Sequence, residues 1–513
     1  MSNIKIVELN ESIAVIEDMK QQPLKEVTKQ LTCYVTGYQY MAAFRNGTFD
    51  GKKRYYKLFG DSITFPKGLS EDIEYVLQSK GYDVEVEKLQ YDDVLPTLEE
   101  FTEFVEGLNL PFKPRDYQFQ AAFDTIHSYR QINLMATNSG KSLTCYILVR
   151  YFLSKNIRVV LLVPRIMLVN QMYNDFKDYG WKEVDDYVIL ISGGEKIKSF
   201  NNPITISTWQ SLVNQADTFK GVGALIVDEA HTAANTTAKG NMYENIIFKV
   251  SGDARYRIGF TGTMPKDIIS KISLRASLGE DKRYISTKQL IEMGYATPVI
   301  VKFVFFKYNE LVCKEVIGME YEEETKFFNS MKIRNLALAK IINKKTDGGN
   351  SIVLVDSVAL GETLASYIAR FRKLGEVDTK EFQKSDNNYK IYLINGNTKP
   401  KDREVIRKLM EKEVGIILIG TSSILSTGVN IKNLHNLFLT SGGKSFIRIN
   451  QSIGRLLRTH PSKNVVKIWD IVDDACIKGK RQIRKNKRYK HFEERMPIYQ
   501  EHDYETTETV IEL

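Results

Sequence analysis

Residues Ala224–His231 read ALIVDEAH, four apolar residues running straight into two carboxylates. A short apolar run bounded by turn residues predicts a strand buried on both faces of a parallel sheet. Carboxylates leave water at tolerable cost only when paired or metal-bound. At the carboxyl end of such a strand the usual partner is Mg²⁺ on a nucleotide. A solvated acidic turn is the alternative, and on these eight residues alone it is the commoner one. Met135–Ser142, MATNSGKS, decides between them. It follows a strand expected over Ile132–Ala136 and precedes a helix-like run from Leu143. Strand, small-residue loop, GK[ST] and helix make a phosphate-binding arrangement. There Thr137, Asn138, Ser139 and Gly140 line the phosphates, and Gly140 lets the backbone approach them. Lys141 reaches the β/γ-phosphates and the Ser142 hydroxyl ligates Mg²⁺. Asp228 holds the same metal, and Glu229 orients the attacking water. Two positions depart from the common pattern: Met135 stands where the first glycine belongs, and Asn138 where glycine is frequent. Together the two stretches predict an enzyme that uses ATP and Mg²⁺.

The chain has 513 residues, which suits roughly three domains at ~150 residues each. Hydrophobic content of 43% and charged content of 26% are those of a soluble globular protein. No apolar run approaches the ~18 residues of a membrane span, and MSNIKIVELN lacks a signal-peptide pattern, so a cytoplasmic protein without a membrane partner is expected. Cys33, Cys145, Cys313 and Cys476 form no CxxC pair, which points to free thiols rather than disulfides or zinc. The net charge is +9, and Lys478, Lys480, Arg481, Arg484, Lys485, Lys487, Arg488 and Lys490 supply most of it. Such a run predicts a polyanion partner, nucleic acid above all, with a solvated tail as the alternative.

Residues 1–97 read as a small α+β domain. Asn46-Gly47 and Asp50-Gly51 are hairpin-turn pairs, followed by a helix over about Ser70–Lys80 and a strand at Asp83–Lys88. Arg45, Lys52, Lys53, Arg54 and Lys57 are interleaved with Tyr55, Tyr56 and Phe59. That mixture suits nucleic-acid binding, or equally a core with a charged edge. From 110 to 297 strands and helices alternate as in a doubly wound parallel sheet, with strands at Ile132–Ala136, Arg158–Val163, Tyr187–Ser192, Ile204–Ser207, Ala224–Asp228 and Tyr256–Thr261. The same alternation restarts at 298 and runs to 475, without a phosphate loop. Residues 476–513 read as a basic-then-acidic tail, partly disordered.

These residues resemble superfamily 2 helicases over roughly 112–471. Arg115-Asp116-Tyr117-Gln118 is similar to the family's adenine-reading motif, and MATNSGKS to its motif I. Val163-Pro164-Arg165 and Ser207-Thr208-Trp209-Gln210 are similar to its strand-contact motifs. DEAH is motif II, Thr261-Gly262-Thr263 resembles motif III, and Gly420-Thr421 through Asn430 resembles motif V, with Asn430 where aspartate is usual. Gln451 through Arg458, QSIGRLLR, matches QxxGRxxR of motif VI. The resemblance implies two tandem RecA-like parallel-sheet domains after the small N-terminal domain. It implies ATP bound by Arg115, Gln118, the phosphate loop and Gln451, and nucleic acid contacted by Arg165, Thr208 and Thr421. Arg455 and Arg458, three apart on one helix face, suit an arginine finger on the γ-phosphate. His231 is either a coupler of motif II to motif III or Gln451, or a packed structural histidine. STGVNIKNLHNLFLTSGGKS, WDIVDDA and FRNGTFDGKKRYYKLF are further similar to the bacteriophage UvsW-type group. That resemblance implies a monomeric DNA helicase acting in the host cytoplasm on branched, forked or single-stranded DNA, and on RNA in R-loops, with replication or recombination proteins as partners. An RNA helicase, a translocating restriction subunit and a scaffold with a dead ATPase remain the alternatives.

Overall fold

The computed structural model of the chain describes residues 3–92, 94–193, 202–213, 221–234, 252–421, 431–440, 452–454, 456–479 and 482–513. They fall into two compact units, Met1–Ile285 and Ser286–Leu513.

The first unit opens with a five-stranded sheet. Strands β1 (Asn3–Glu8) and β2 (Ile13–Ile16) are followed by a separate antiparallel pair, β3 (Thr32–Tyr34) and β4 (Lys52–Arg54). Then come β5 (Lys57–Phe59), β6 (Ser62–Pro66), the helix Ser70–Ser79 and β7 (Asp83–Glu87). The sheet order is β5-β6-β2-β1-β7. Two expected hairpin turns lie elsewhere. Asn46-Gly47 ends the short helix Ala42–Arg45, and Asp50-Gly51 leads into β4. The two-residue turn is Gly60-Asp61, between β5 and β6, with Gly60 at φ +59°.

This layer packs on the helix Ile268–Leu278 of the larger sheet. The Tyr55 hydroxyl donates to the Ile269 carbonyl at 3.0 Å and lies 2.7 Å from Ser273 Oγ. Arg275 pairs with Asp72 at 2.5 Å. Gly68 lies so close that a Cβ there would be 2.2 Å from the Arg275 carbonyl oxygen.

The larger sheet of this unit has β8 (Arg130–Met135), β9 (Val159–Val163), β10 (Val188–Ile191), β11 (Ile204–Thr208), β12 (Ala224–Val227), β13 (Tyr256–Thr261) and β14 (Asp281–Ile285). All seven are parallel, in the order β10-β11-β9-β12-β13-β8-β14. The central strands are sealed on both faces, which is why VVLLV and ALIV lack a polar alternate.

The second unit repeats this winding. Its strands are β15 (Val299–Lys307), β16 (Ser351–Val355), β17 (Ile391–Ile394), β18 (Ile417–Thr421), β19 (Asn436–Leu439) and β20 (Val466–Asp474), then a small hairpin of β21 (Ile477–Lys478) and β22 (Ile483–Arg484), and finally β23 (Glu505–Glu512). The sheet order is β17-β18-β16-β19-β20-β15-β23, again all parallel. Numbered along the chain, both sheets run third, fourth, second, fifth, sixth, first, seventh. Two tandem RecA-like domains behind a small α+β domain are thus the observed architecture.

The identical winding corrects the reading of 476–513 as a tail. β23 takes the place that β14 takes in the first sheet, pairing with β15 over Ile300–Lys307. The helix Lys487–Glu501 buries Arg488, Phe492, Arg495, Ile498 and Tyr499. Arg488 Nη1 donates to Asp473 at 2.7 Å, and Arg495 donates to Asp470 at 2.7 Å. One member of the basic run, Arg488, therefore neutralises a carboxylate on β20 inside the fold rather than waiting for a polyanion, and Arg495 beyond the run does the same. Among the described residues no helix is long and apolar enough to cross a membrane, and all four cysteines are free.

Candidate active site

Three neighbouring strands, β12, β13 and β8, bring their carboxyl ends together. β12 delivers Asp228 and Glu229, β13 delivers Thr261-Gly262-Thr263, and β8 delivers the loop 136–140. The last two touch: a Cβ on Gly262 would lie 3.5 Å from Thr137 Oγ1.

The loop explains its two departures from the common pattern. Met135 is the last, fully buried residue of β8, so the chain turns only after it. Its carbonyl accepts from Lys141 Nζ at 3.4 Å. Asn138 has φ +68° and Gly140 φ +79°, and asparagine is the side chain that best tolerates such a conformation after glycine. Alternating left-handed residues turn successive N–H groups toward one concavity, which favours an anion. Gly140 opens the helix Lys141–Ser154, and a Cβ on it would come within 2.3 Å of Gln118 Nε2.

Gln118 is where the structure differs from an exposed adenine reader. Its Nε2 donates to the Ser139 carbonyl at 2.8 Å and the Gly140 carbonyl at 3.3 Å, while its Oε1 accepts from the Arg115 amide at 2.9 Å. Tyr117 adds a second bond to the Ser139 carbonyl at 2.8 Å and accepts from Arg115 Nη1 at 2.8 Å. The RDYQ stretch thus braces the phosphate loop from behind.

The donor set suits Mg²⁺ and phosphate. Asp228 Oδ1 and Ser139 Oγ are buried and find no hydrogen-bond partner among the described residues. Burial, then the Glu229 charge, push the Asp228 carboxyl up to about 7 against the pull of Lys141. A buried carboxylate oxygen left so exposed to cost is satisfied by a hard cation, and hydroxyl plus carboxylate is a magnesium-type ligand pair. Ser142 Oγ lies 2.6 Å from the Tyr179 hydroxyl. Tyr179, at the end of the helix Ile166–Asp178, matches no motif; only the packing of that helix brings it to Ser142.

Glu229 has φ +48°, a strained value for a non-glycine residue at the end of a buried strand. His231 is buried, and burial lowers its pKa, so it is neutral. Thr261 Oγ1 donates to the Thr263 carbonyl at 2.9 Å and lies 2.8 Å from His231 Nδ1. The threonine proton being committed, His231 donates from Nδ1. Of the two readings for His231, the structure supplies the contact to motif III; Gln451 lies outside the described residues, as do Arg455 and most of motif V.

The expected nucleic-acid contacts divide. Arg165 is exposed at the start of the helix Ile166–Asp178, beside exposed Ile166 and Met167. Thr421, half-buried, ends β18. Thr208 is only 3% exposed, and its hydroxyl accepts from the Ser211 amide at 3.4 Å, so it caps a helix instead of facing outward. Arg458 is half-buried, and its carbonyl accepts from Thr297 Oγ1 at 3.3 Å. On the small domain, Arg45 is exposed and Arg54 pairs with Asp50. Lys52 lies 5.2 Å over the exposed Tyr34 ring. Lys53 instead donates to Ser273 at 3.3 Å, and Tyr55 is core.

Residues 111–266 match the family described as type III restriction enzyme, res subunit, and residues 333–460 match the helicase conserved C-terminal domain. The chain is 27% identical to the ATP-dependent DNA helicase uvsW of Enterobacteria phage T4 over 484 residues, 92% of this chain and 91% of that protein. Against the crystal structure of T4 UvsW the TM-score is 0.48 at 24% identity, with all of both chains covered. Against the ATP-dependent Type ISP restriction-modification enzyme LlaBIII bound to DNA it is 0.55 at 16% identity, covering 86% of this chain and 34% of the other, a likeness of fold. With both domain matches in chain order on two identically wound sheets, the chain is similar to the superfamily 2 helicases and, over nearly its whole length, to the bacteriophage UvsW-type helicases among them.

Proposed function

We propose that the protein is an ATP-driven DNA helicase and translocase that remodels branched DNA: branch migration of Holliday junctions, regression of stalled forks and unwinding of R-loops, in recombination, repair and replication. The observation that carries the catalytic part is the buried Asp228 Oδ1, unsatisfied among the described residues, at the end of β12 and within the electrostatic reach of Lys141. The similarity to a phage DNA helicase over nearly the whole chain supports the choice of substrate.

In this reading Lys141 and the amides of 137–140 bind the β- and γ-phosphates. Ser142 and Asp228 hold Mg²⁺, which when bound neutralises phosphate charge. Glu229 orients the attacking water, and the resemblance gives Arg455 and Arg458 the role of stabilising the charge that develops on the γ-phosphate and Gln451 that of a further ATP contact. Gln118 and Arg115 keep the loop in shape. His231, with Nδ1 3.4 Å from Glu229 and 2.8 Å from Thr261, carries the change at hydrolysis to motif III. Arg165, Thr421, the exposed cations Arg45 and Arg54 and the half-buried Lys52 grip DNA phosphates, which makes binding sequence-independent and salt-sensitive.

The test is conversion of a labelled four-way DNA junction to duplex products by the purified full chain. Product that forms only with ATP and Mg²⁺, and not with Lys141→Ala, supports the proposal. Junctions left intact by an ATP-hydrolysing protein would remove branched DNA from it.

A further inference from the structure

The small N-terminal layer carries an excursion that its core does not use. Between β3 and β4 the chain leaves the pair at Val35 and rejoins it at Gly51, where the Val35 amide donates to the Gly51 carbonyl at 2.8 Å. Side chains alternate along this pair. Cys33 is buried and Lys53 reaches Ser273, so Tyr34 and Lys52, opposite each other in register, stand on the outer face. Tyr34 is 57% exposed and Tyr40, inside the excursion, 78%. Neither ring belongs to the core of the layer, which gathers Ile6, Ile16, Val27, Ile63 and Phe65 among others.

The exposed rings are nevertheless held. Tyr38 is half-buried, and a Cβ on Gly51 would lie 2.3 Å from its ring, so the ring rests on the backbone there. Around it stand Tyr34, 5.4 Å away between centroids and tilted by 32°, and Phe44, 4.7 Å away and nearly edge-on. A turn of 3₁₀ helix over Tyr38–Tyr40 and the short helix Ala42–Arg45 set the backbone that carries Tyr40 and Arg45. The surface is cationic. From Tyr34 to Arg54 the single acidic residue is Asp50, and it pairs with Arg54. Arg45 is exposed, and the Lys52 ammonium lies 5.2 Å over the Tyr34 ring.

We propose, on the reading of the chain as a DNA helicase, that Tyr34 and Tyr40 are a stacking platform for the unpaired bases of single-stranded DNA, with Lys52 and Arg45 on the flanking phosphates. A tyrosine ring stacks on any base, and a cation beside it meets the backbone. In a duplex each base face is covered by its neighbour, so exposed rings gain nothing there and cations alone would serve. A strand released at a fork or junction offers both a bare base face and a phosphate. The platform therefore takes the displaced strand, and it does so without reading sequence.

The experiment is equilibrium binding of the full chain, without nucleotide and at low salt, to fluorescein-labelled oligo-dT and to an abasic oligomer of the same length and charge, read by anisotropy. The parent should bind oligo-dT about 10-fold tighter than the abasic oligomer. Tyr34→Ala with Tyr40→Ala should bring the two within about 2-fold by weakening oligo-dT alone. Tyr34→Phe with Tyr40→Phe should keep the preference, since stacking needs the ring and not the hydroxyl. Both pairs should melt within about 2 °C of the parent, because both rings are largely solvated. Photocrosslinking of a 5-bromodeoxyuridine oligomer to the parent, which needs no variant, should mark Tyr34 or Tyr40. A preference that survives the alanine pair, or crosslinks confined to other residues, overturns the platform while DNA binding stands, and leaves a protein partner for the rings. Equal loss of affinity for both oligomers in the alanine pair overturns it as well. A parent that binds neither oligomer overturns the DNA reading and the platform together.

Discussion

Replacing Asp473 with asparagine should destabilise the second unit by about 3–5 kcal/mol, the cost of removing one member from a buried ion cluster. The Asp473 carboxylate is essentially inaccessible. It accepts from Arg334 Nε at 2.7 Å and Nη2 at 3.0 Å, from Arg488 Nη1 at 2.7 Å and from the Tyr308 hydroxyl at 2.6 Å. Arg488 keeps Asp356 at 3.2 Å, but among the described residues Arg334 retains only the Thr440 carbonyl at 2.9 Å and a weak Asn335 contact. Asparagine leaves one oxygen for two guanidinium groups and turns an amide N–H₂ toward the other. Trp469, stacked on Phe438 in β19 and β20, reports unfolding of this unit once Trp181 and Trp209 of the first unit are changed to phenylalanine. In urea the midpoint should fall by about 1–2 M. Arg484→Ala, an exposed member of the same basic run, should cost less than about 0.5 kcal/mol. The pH dependence has a defined sign. Burial pushes the Asp473 carboxyl up, but the charges of Arg334 and then Arg488 outweigh it and hold it at about 2. A depressed carboxyl stabilises the fold above its unfolded value of ~3.9, and that contribution of about 2 kcal/mol is lost as pH falls from about 4 through 2. A loss below about 1 kcal/mol for Asp473→Asn, or equal effects of Arg488→Ala and Arg484→Ala, would refute the assignment of Arg488 to the interior.

Asp228→Asn should raise the thermal stability of the metal-free protein while abolishing ATP hydrolysis. Because the buried carboxyl titrates near 7, its penalty grows as pH rises from about 4 to 7, so the advantage of asparagine, up to about 4 kcal/mol, should be full above pH 7 and vanish below about 4; melting curves across pH test this. Tyr179→Phe removes the partner of the Ser142 hydroxyl and should raise the Mg²⁺ concentration for half-maximal nucleotide binding about 10-fold, read by a fluorescent nucleotide. Thr261→Val takes away the acceptor of His231 and should lower DNA-stimulated ATP hydrolysis while leaving the basal rate within about 2-fold, a KM-independent effect visible in steady-state assays. Lys141→Ala should lower the turnover number by about 10²–10³ without lowering the melting point.

Apolar content made the central strands legible. VVLLV and ALIV in the first sheet, and SIVLV and IYLI in the second, are sealed on both faces. The edges were not. β14, DKRYI, and β23, ETTETVIE, carry charge because an edge strand is half solvated, and their polar sequences hid the seventh strand of each sheet. The helix Lys487–Glu501 was concealed for a different reason. Its buried face, 488, 492, 495 and 499, keeps helical spacing, but two of the four are arginines whose carboxylate partners lie on β20. Charge counting cannot see a partner brought in by folding. At the site, spacing located the phosphate loop, DEAH and TGT, because each is a strand end followed by a turn. It could not show that Gln118 faces the loop, that Thr208 caps a helix, or that Tyr179 reaches Ser142, since these depend on how a helix packs on the sheet.

The measurement that bears most directly on the central claim is steady-state ATP hydrolysis by the purified chain with no nucleic acid, with single-stranded DNA, with forked or four-way DNA, and with matched RNA. The account predicts a Mg²⁺-dependent rate stimulated most by branched DNA and abolished by Lys141→Ala. Stimulation by RNA in preference to DNA, or no hydrolysis under any of these conditions, would contradict it.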